Sequence, residues 1–143
     1  MKRLLSVFLL GLSVSVLYGY APVKTIAYHN CHAQALNVTN GCNLSIDSVL
    51  FTDEFTRVIG KLYGKPHTSA KINDIIISID GTVCSATDIE GFDFQRWFQW
   101  EDSGIIPIEI DFEPLKASSS FVLTLEFPSQ SMTWSINCKQ DKK

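Results

Sequence analysis

Several things are scarce in this chain of 143 residues, and each scarcity excludes something. There are only three histidines, two of them in His29-Asn30-Cys31-His32, and neither G-x-S-x-G nor H-E-x-x-H occurs. No motif therefore points to nucleophilic or metal-assisted hydrolysis. No two of the four cysteines have the two-to-four-residue spacing of a zinc site, and two imidazoles beside one thiol leave a metal short of ligands. No metal and no cofactor is implied. Basic residues are few: 12 Lys and Arg stand against 15 Asp and Glu. An acidic chain lacks the positive footprint that nucleic-acid phosphates require. Repeats and low-complexity segments are absent, and at 19% charged and 45% hydrophobic the chain is too apolar to stay disordered.

What is present begins with Met1-Lys2-Arg3 and the apolar run Leu4 to Leu17. A basic start, a short apolar stretch and the ending Tyr18-Gly19-Tyr20-Ala21-Pro22 read as a secretory signal peptide over about residues 1–20. Cleavage falls after Gly19 or Ala21, with Pro22 disfavouring the latter. The expectation is a secreted protein, periplasmic if bacterial. Without Lys2 and Arg3 the formal charge moves from −3 to −5. No later run is long enough to cross a bilayer, so residues 21–143 are expected to form one domain.

Cys31, Cys42, Cys84 and Cys138 all follow the leader, and in an oxidising compartment four cysteines form two disulfides with three possible pairings. Their positions favour Cys31 with Cys138, clasping the two ends, which leaves Cys42 with Cys84. Asn37-Val38-Thr39 and Asn43-Leu44-Ser45 match the N-glycosylation acceptor, so Asn37 and Asn43 are candidate glycan sites in a eukaryotic pathway.

The second half has a period of two. Ile75, Ile77 and Ile79; Phe92, Phe94, Phe98 and Trp100; Ile106, Ile108, Ile110 and Phe112; Phe121, Leu123, Leu125 and Phe127; and Met132, Trp134, Ile136 and Cys138 each occupy one parity of their run. Asp80-Gly81, Ser103-Gly104, Glu113-Pro114 and Pro128-Ser129-Gln130-Ser131 supply turns, the last joining a terminal hairpin. Pro107 places its strand at an edge or faces outward. Val23–Tyr28 and Leu44–Phe51 fit strands, whereas Phe55–Tyr63 fits strand and helix alike, since Phe55, Val58, Ile59 and Leu62 also share a helical face. Apolar faces on many strands with few helices to cover them predict an all-β, disulfide-stabilised, two-sheet antiparallel β-sandwich of immunoglobulin-like architecture.

Two stretches hold candidate sites. Eight carboxylates from Asp88 to Glu113 face one basic residue of that stretch, Arg96. A carboxylate-pair glycosidase is conceivable there, but Glu109 and Asp111 lie on the polar parity of a strand, where a solvated sheet face puts charge. Five aromatics crowd Phe92 to Trp100, with Trp97 alone on the opposite parity. Core packing is the plain account of the stretch; the sharper one is that some of these rings line a cavity for an apolar ligand, with Trp97 exposed as an interaction residue.

The order of these elements resembles the MD-2-related lipid-recognition (ML) family. Tyr28-His29-Asn30-Cys31 and Asn40-Gly41-Cys42 are similar to its early cysteines, and Ser69-Ala70-Lys71-Ile72 through Ser78-Ile79-Asp80-Gly81 to a central strand and turn. Phe121-Val122-Leu123-Thr124-Leu125-Glu126 and Trp134-Ser135-Ile136-Asn137-Cys138 are similar to the final hairpin, whose cysteine the family bonds to the first. Family members commonly carry six or more cysteines, and here Cys42 and Cys84 lack near partners. The resemblance implies a non-catalytic binding protein with a lipid, sterol or other apolar ligand between splayed sheets. Its candidate walls are Ile77, Phe94, Phe98, Ile108, Leu123 and Trp134, which would equally serve as plain core, and a bulky residue at Ala86 would separate a hollow interior from a filled one. The alternative is an exported protein-binding factor, an adhesin accessory or an inhibitor, using Trp97 and the acidic stretch.

Overall fold

A computed structural model describes residues 24–37 and 42–140. The expected leader lies outside them. The described residues are all-β, with no helix: β1 (Thr25–Asn37), β2 (Asn43–Thr52), β3 (Thr56–Tyr63), β4 (Ser69–Lys71), β5 (Asp74–Ile79), β6 (Thr82–Ser85), β7 (Asp88–Glu90), β8 (Trp97–Gln99), β9 (Ile105–Phe112), β10 (Ser120–Glu126) and β11 (Ser131–Gln140). Nine strands form one antiparallel sheet in the order β6-β5-β10-β11-β1-β2-β3-β9-β7, and β4 pairs with β8 in a separate ribbon.

The alternating runs become β5, β9, β10 and β11 in the parity expected of them. Ile75, Ile77, Ile110, Leu123, Leu125, Trp134 and Ile136 are fully buried while the residues between them face outward. Asp80 and Gly81 both take positive φ, 48° and 84°, and link Ile79 to its partner Thr82 by a two-residue hairpin turn. Pro107 is exposed and lies beyond the reach of β7, which covers only Glu109 to Asp111 of β9.

Phe55–Tyr63 resolves as strand. Thr56, Val58, Gly60 and Leu62 point inward, and β2 and β9 flank β3 on both sides, supplying ladder partners that a local helix would forgo. In β2 a bulge between Ile46 and Ser48 resets the alternation, so that Leu44 and Ile46 before it and Val49 and Phe51 after it all reach the core. The aromatic run Phe92 to Trp100 departs from expectation. Only Trp97–Gln99 is strand, because Gly91 (φ 121°) and Gln95 (φ 63°) break the extended backbone before it.

The large sheet curls until its ends adjoin. Strands β6 and β7, the two ends of the order, are consecutive in the chain, and the link between them bonds to both sides. The Ala86 N–H donates to Ile75 of β5 and the Thr87 N–H to Asp111 of β9. Residues from both halves of the order therefore share one hydrophobic cluster. Ala86 is half-buried against that cluster.

One disulfide, Cys31–Cys138, ties β1 to the end of β11. The second expected bond is not formed: Cys42 and Cys84 are free thiols. Cys42 precedes Asn43, which pairs with Tyr63, itself opposite Ile105 at the start of β9. Cys84 is held protonated by burial and by the neighbouring carboxylate of Glu113, just past the other end of β9. Eight residues of strand at about 3.4 Å each put roughly 24 Å between those ends, far beyond disulfide reach.

Candidate functional site

Strands β1 and β2 part company along their length. From Thr25 to His29, β1 pairs with β2. At Asn30 the backbone turns to φ 51°, and from His32 to Asn37 β1 follows β11, while Asn43 to Ile46 of β2 pair with β3. A pocket of about 630 Å³ lies at this end, with Cys42 from the start of β2 and Met132 from β11 in its wall. This volume falls within the range of about 300–1,000 Å³ found for small-ligand sites.

The β4–β8 ribbon and the turns around it complete the wall. In the ribbon's register Ala70 faces Phe98, and both pack on the core. Lys71 is paired with Trp97, which puts the two on the ribbon's other face, and both line the pocket. Past the ribbon the ladder continues through backbone bonds: the Trp100 N–H donates to Thr68 and the His67 N–H to Trp100. This holds the Trp100 indole over Gly64, where a Cβ would overlap the ring. Glycine is required there for packing rather than for its backbone angle. Phe127 and the hairpin turn after it form a further side.

The aromatics divide into two groups. Phe92 stacks on Phe98 at 4.9 Å, Phe98 meets Trp100 edge-on at 5.5 Å, and Phe94 meets Phe92 edge-on at 5.9 Å. Trp97 takes no part in this chain of rings and is 67% exposed. It borders both the pocket and a second depression of about 460 Å³, where Asp93, Arg96 and Glu101 bring charge.

The chemistry of the pocket is apolar and weakly basic. Trp97, Trp100, Met132, Phe127 and Ala70 supply the apolar wall, and Lys65 and Lys71 the charges. No Asp or Glu is among the described residues that line it. Burial pushes the Cys42 thiol up to about 11, so it stays protonated at neutral pH and is a poor nucleophile there. Among the described residues no group of His, Cys, Asp and Glu could hold a metal ion.

The expected wall residues are elsewhere. Ile77, Ile108, Leu123 and Trp134 are at most 2% exposed in the shared core and do not line this pocket. Phe94 is half-buried in the ring cluster, and Phe98 lines the smaller depression. Asn37 and Asn43 are exposed on either side of the undescribed residues 38–41. The acidic stretch forms an outward face on which Asp88 opposes Asp111 and Glu90 opposes Glu109. Arg57 of β3 answers it with two hydrogen bonds to Asp111, at 2.7 and 2.9 Å, while resting 4.3 Å over the Phe55 ring. The Asp111 carboxylate holds the Arg57 guanidinium more firmly protonated than usual. Sequence reading missed Cys42, Lys65, Lys71, Trp100, Phe127 and Met132 as neighbours, because they come from separate segments. The one local signal was Trp97, the aromatic on the wrong parity of its run.

No family model, curated protein or solved structure matches the chain.

Proposed function

We propose that this is an exported, non-catalytic binding protein that takes a small apolar ligand in the pocket beside Trp97. The observation that carries the reading is a 67%-exposed tryptophan on the rim of a 630 Å³ pocket whose wall includes Trp100, Met132 and Phe127. Exposing an indole to water is unfavourable by roughly 25 cal/mol per Å² of apolar surface, and a ligand lying against it would relieve that cost. The curled sheet acts as a two-layered sandwich clasped by Cys31–Cys138, in keeping with passage through an oxidising compartment. The resemblance to the ML family supports an apolar ligand. The tight burial of Ile77, Ile108, Leu123 and Trp134 favours entry at the parted strand end over a site deep between the layers.

The test is uptake of the neutral fluorophore N-phenyl-1-naphthylamine by the disulfide-bonded protein. Saturable one-to-one enhancement, weakened at least tenfold in a folded Trp97→Ala variant, is the expected result. No saturable uptake by the parent protein overturns the reading. A second reading, docking of a protein partner, draws on Trp97 lying between the pocket and the charged depression of Asp93, Arg96 and Glu101.

A further inference from the structure

We infer that the Trp97 pocket selects an amphipathic anion, a single apolar chain ending in a carboxylate, over neutral or cationic ligands of the same length; this rests on the binding reading above. Local charge at the pocket runs against the global charge. The chain carries a formal charge of −3, yet the charged side chains around the pocket are two lysines, with no carboxylate among its described lining residues. Two carboxylates that follow Trp100 in the chain have other surroundings. Asp102 pairs with His67 at 3.0 Å, and Glu101 borders the other depression. Among the described residues, neither Lys65 nor Lys71 pairs with a carboxylate, whereas Lys61 on the neighbouring strand is 3.5 Å from Asp47.

The two lysines are also placed for an amphiphile. Lys71 is directly across the ribbon from Trp97, so its ammonium and the exposed indole stand on one face. Lys65 follows Gly64, over which Trp100 lies. A chain packed along Trp97, Trp100 and Met132 would thus carry its headgroup to the ammonium groups at the rim. Lys71 is half-buried, so its attraction is less screened than that of a fully solvated lysine.

Competition against bound N-phenyl-1-naphthylamine tests this with three twelve-carbon probes kept below micelle formation: laurate, dodecanol and dodecyltrimethylammonium. Laurate is expected to displace the fluorophore at about a fivefold lower concentration than dodecanol, and the quaternary amine least well. The laurate advantage should shrink in 0.5 M salt and vanish in a folded Lys65→Gln/Lys71→Gln variant, while the dodecanol value stays put. A Lys71→Arg variant should keep the preference. Equal displacement by laurate and dodecanol overturns the anion inference and leaves apolar binding standing. Failure of the fluorophore and of all three probes to bind overturns both. Attachment to anionic phospholipid vesicles without displacement by monomeric laurate also overturns it, in favour of a membrane surface.

Discussion

Trp134 and Trp97 represent two regions built on opposite principles. Trp134 is at the centre of β11, paired with Ala35 on one side and Leu123 on the other, and is wholly buried. Even its Nε1–H is sealed off without a hydrogen-bond partner among the described residues, a cost that dense packing outweighs. Trp97 is on a three-residue strand outside the main sheet, with most of its surface in water. The same side chain stabilises the fold in one place and is spare in the other. The difference teaches that the strand carrying Trp97 lies outside the main sheet and leaves that indole unused by the core, so the two regions should respond separately to substitution.

The largest expected effect comes from opening the clasp. Replacing Cys31 and Cys138 by Ser frees ends separated by 107 residues and should cost about 4–5 kcal/mol by loop entropy, read as a lowered urea midpoint. Both regions should fail together, since the clasp joins β1 to β11, and β11 supplies Trp134 to the core and Met132 to the pocket. Next, Trp134→Ala should cost about 3–5 kcal/mol as a large core cavity, measured the same way. A smaller change lies in pH. The fold holds Cys42 protonated above its ordinary value of 9.0, up to about 11, so the stability it contributes is whole below pH 9 and is lost as pH rises toward 11. A Cys42→Ala variant should show a flatter decline of the urea midpoint between pH 8.5 and 11 than the parent. Iodoacetamide should modify Cys42 only slowly at pH 8. The smallest effect belongs to Trp97→Ala, expected within about 0.5 kcal/mol of the parent in stability while ligand uptake falls. A loss near that of Trp134→Ala would mean that the ribbon is part of the core and the contrast is false.

Much of the main sheet was legible because its strands are long and one-sided. In β5, β9, β10 and β11 a residue on the wrong parity would face water or bury charge, so the pattern speaks for itself. The short strands β4, β6 and β7 carry three or four residues each, too few for any period to register. The Phe92–Trp100 run preserved its inside and outside while losing its strand. Phe92 and Trp100 are buried and Trp97 is not, yet positive φ at Gly91 and Gln95 makes most of the run a folded loop. Burial follows side-chain chemistry, whereas backbone path there follows turns that alternation does not encode. Likewise Arg57, the cation that answers the acidic stretch, is 54 residues from Asp111 and invisible to any local reading.

The sequence by itself determined an all-β chain, the inward faces of its long strands and the turn at Asp80-Gly81. These depend on local chemistry: alternation and positive-φ tolerance. Tertiary structure alone decided that β3 is a strand, that Cys31 bonds Cys138 while Cys42 and Cys84 lie too far apart to join, and that β1 parts from β2 after His29. Each of those outcomes turns on which distant strand supplies the next hydrogen bond, a choice that no short stretch of residues contains.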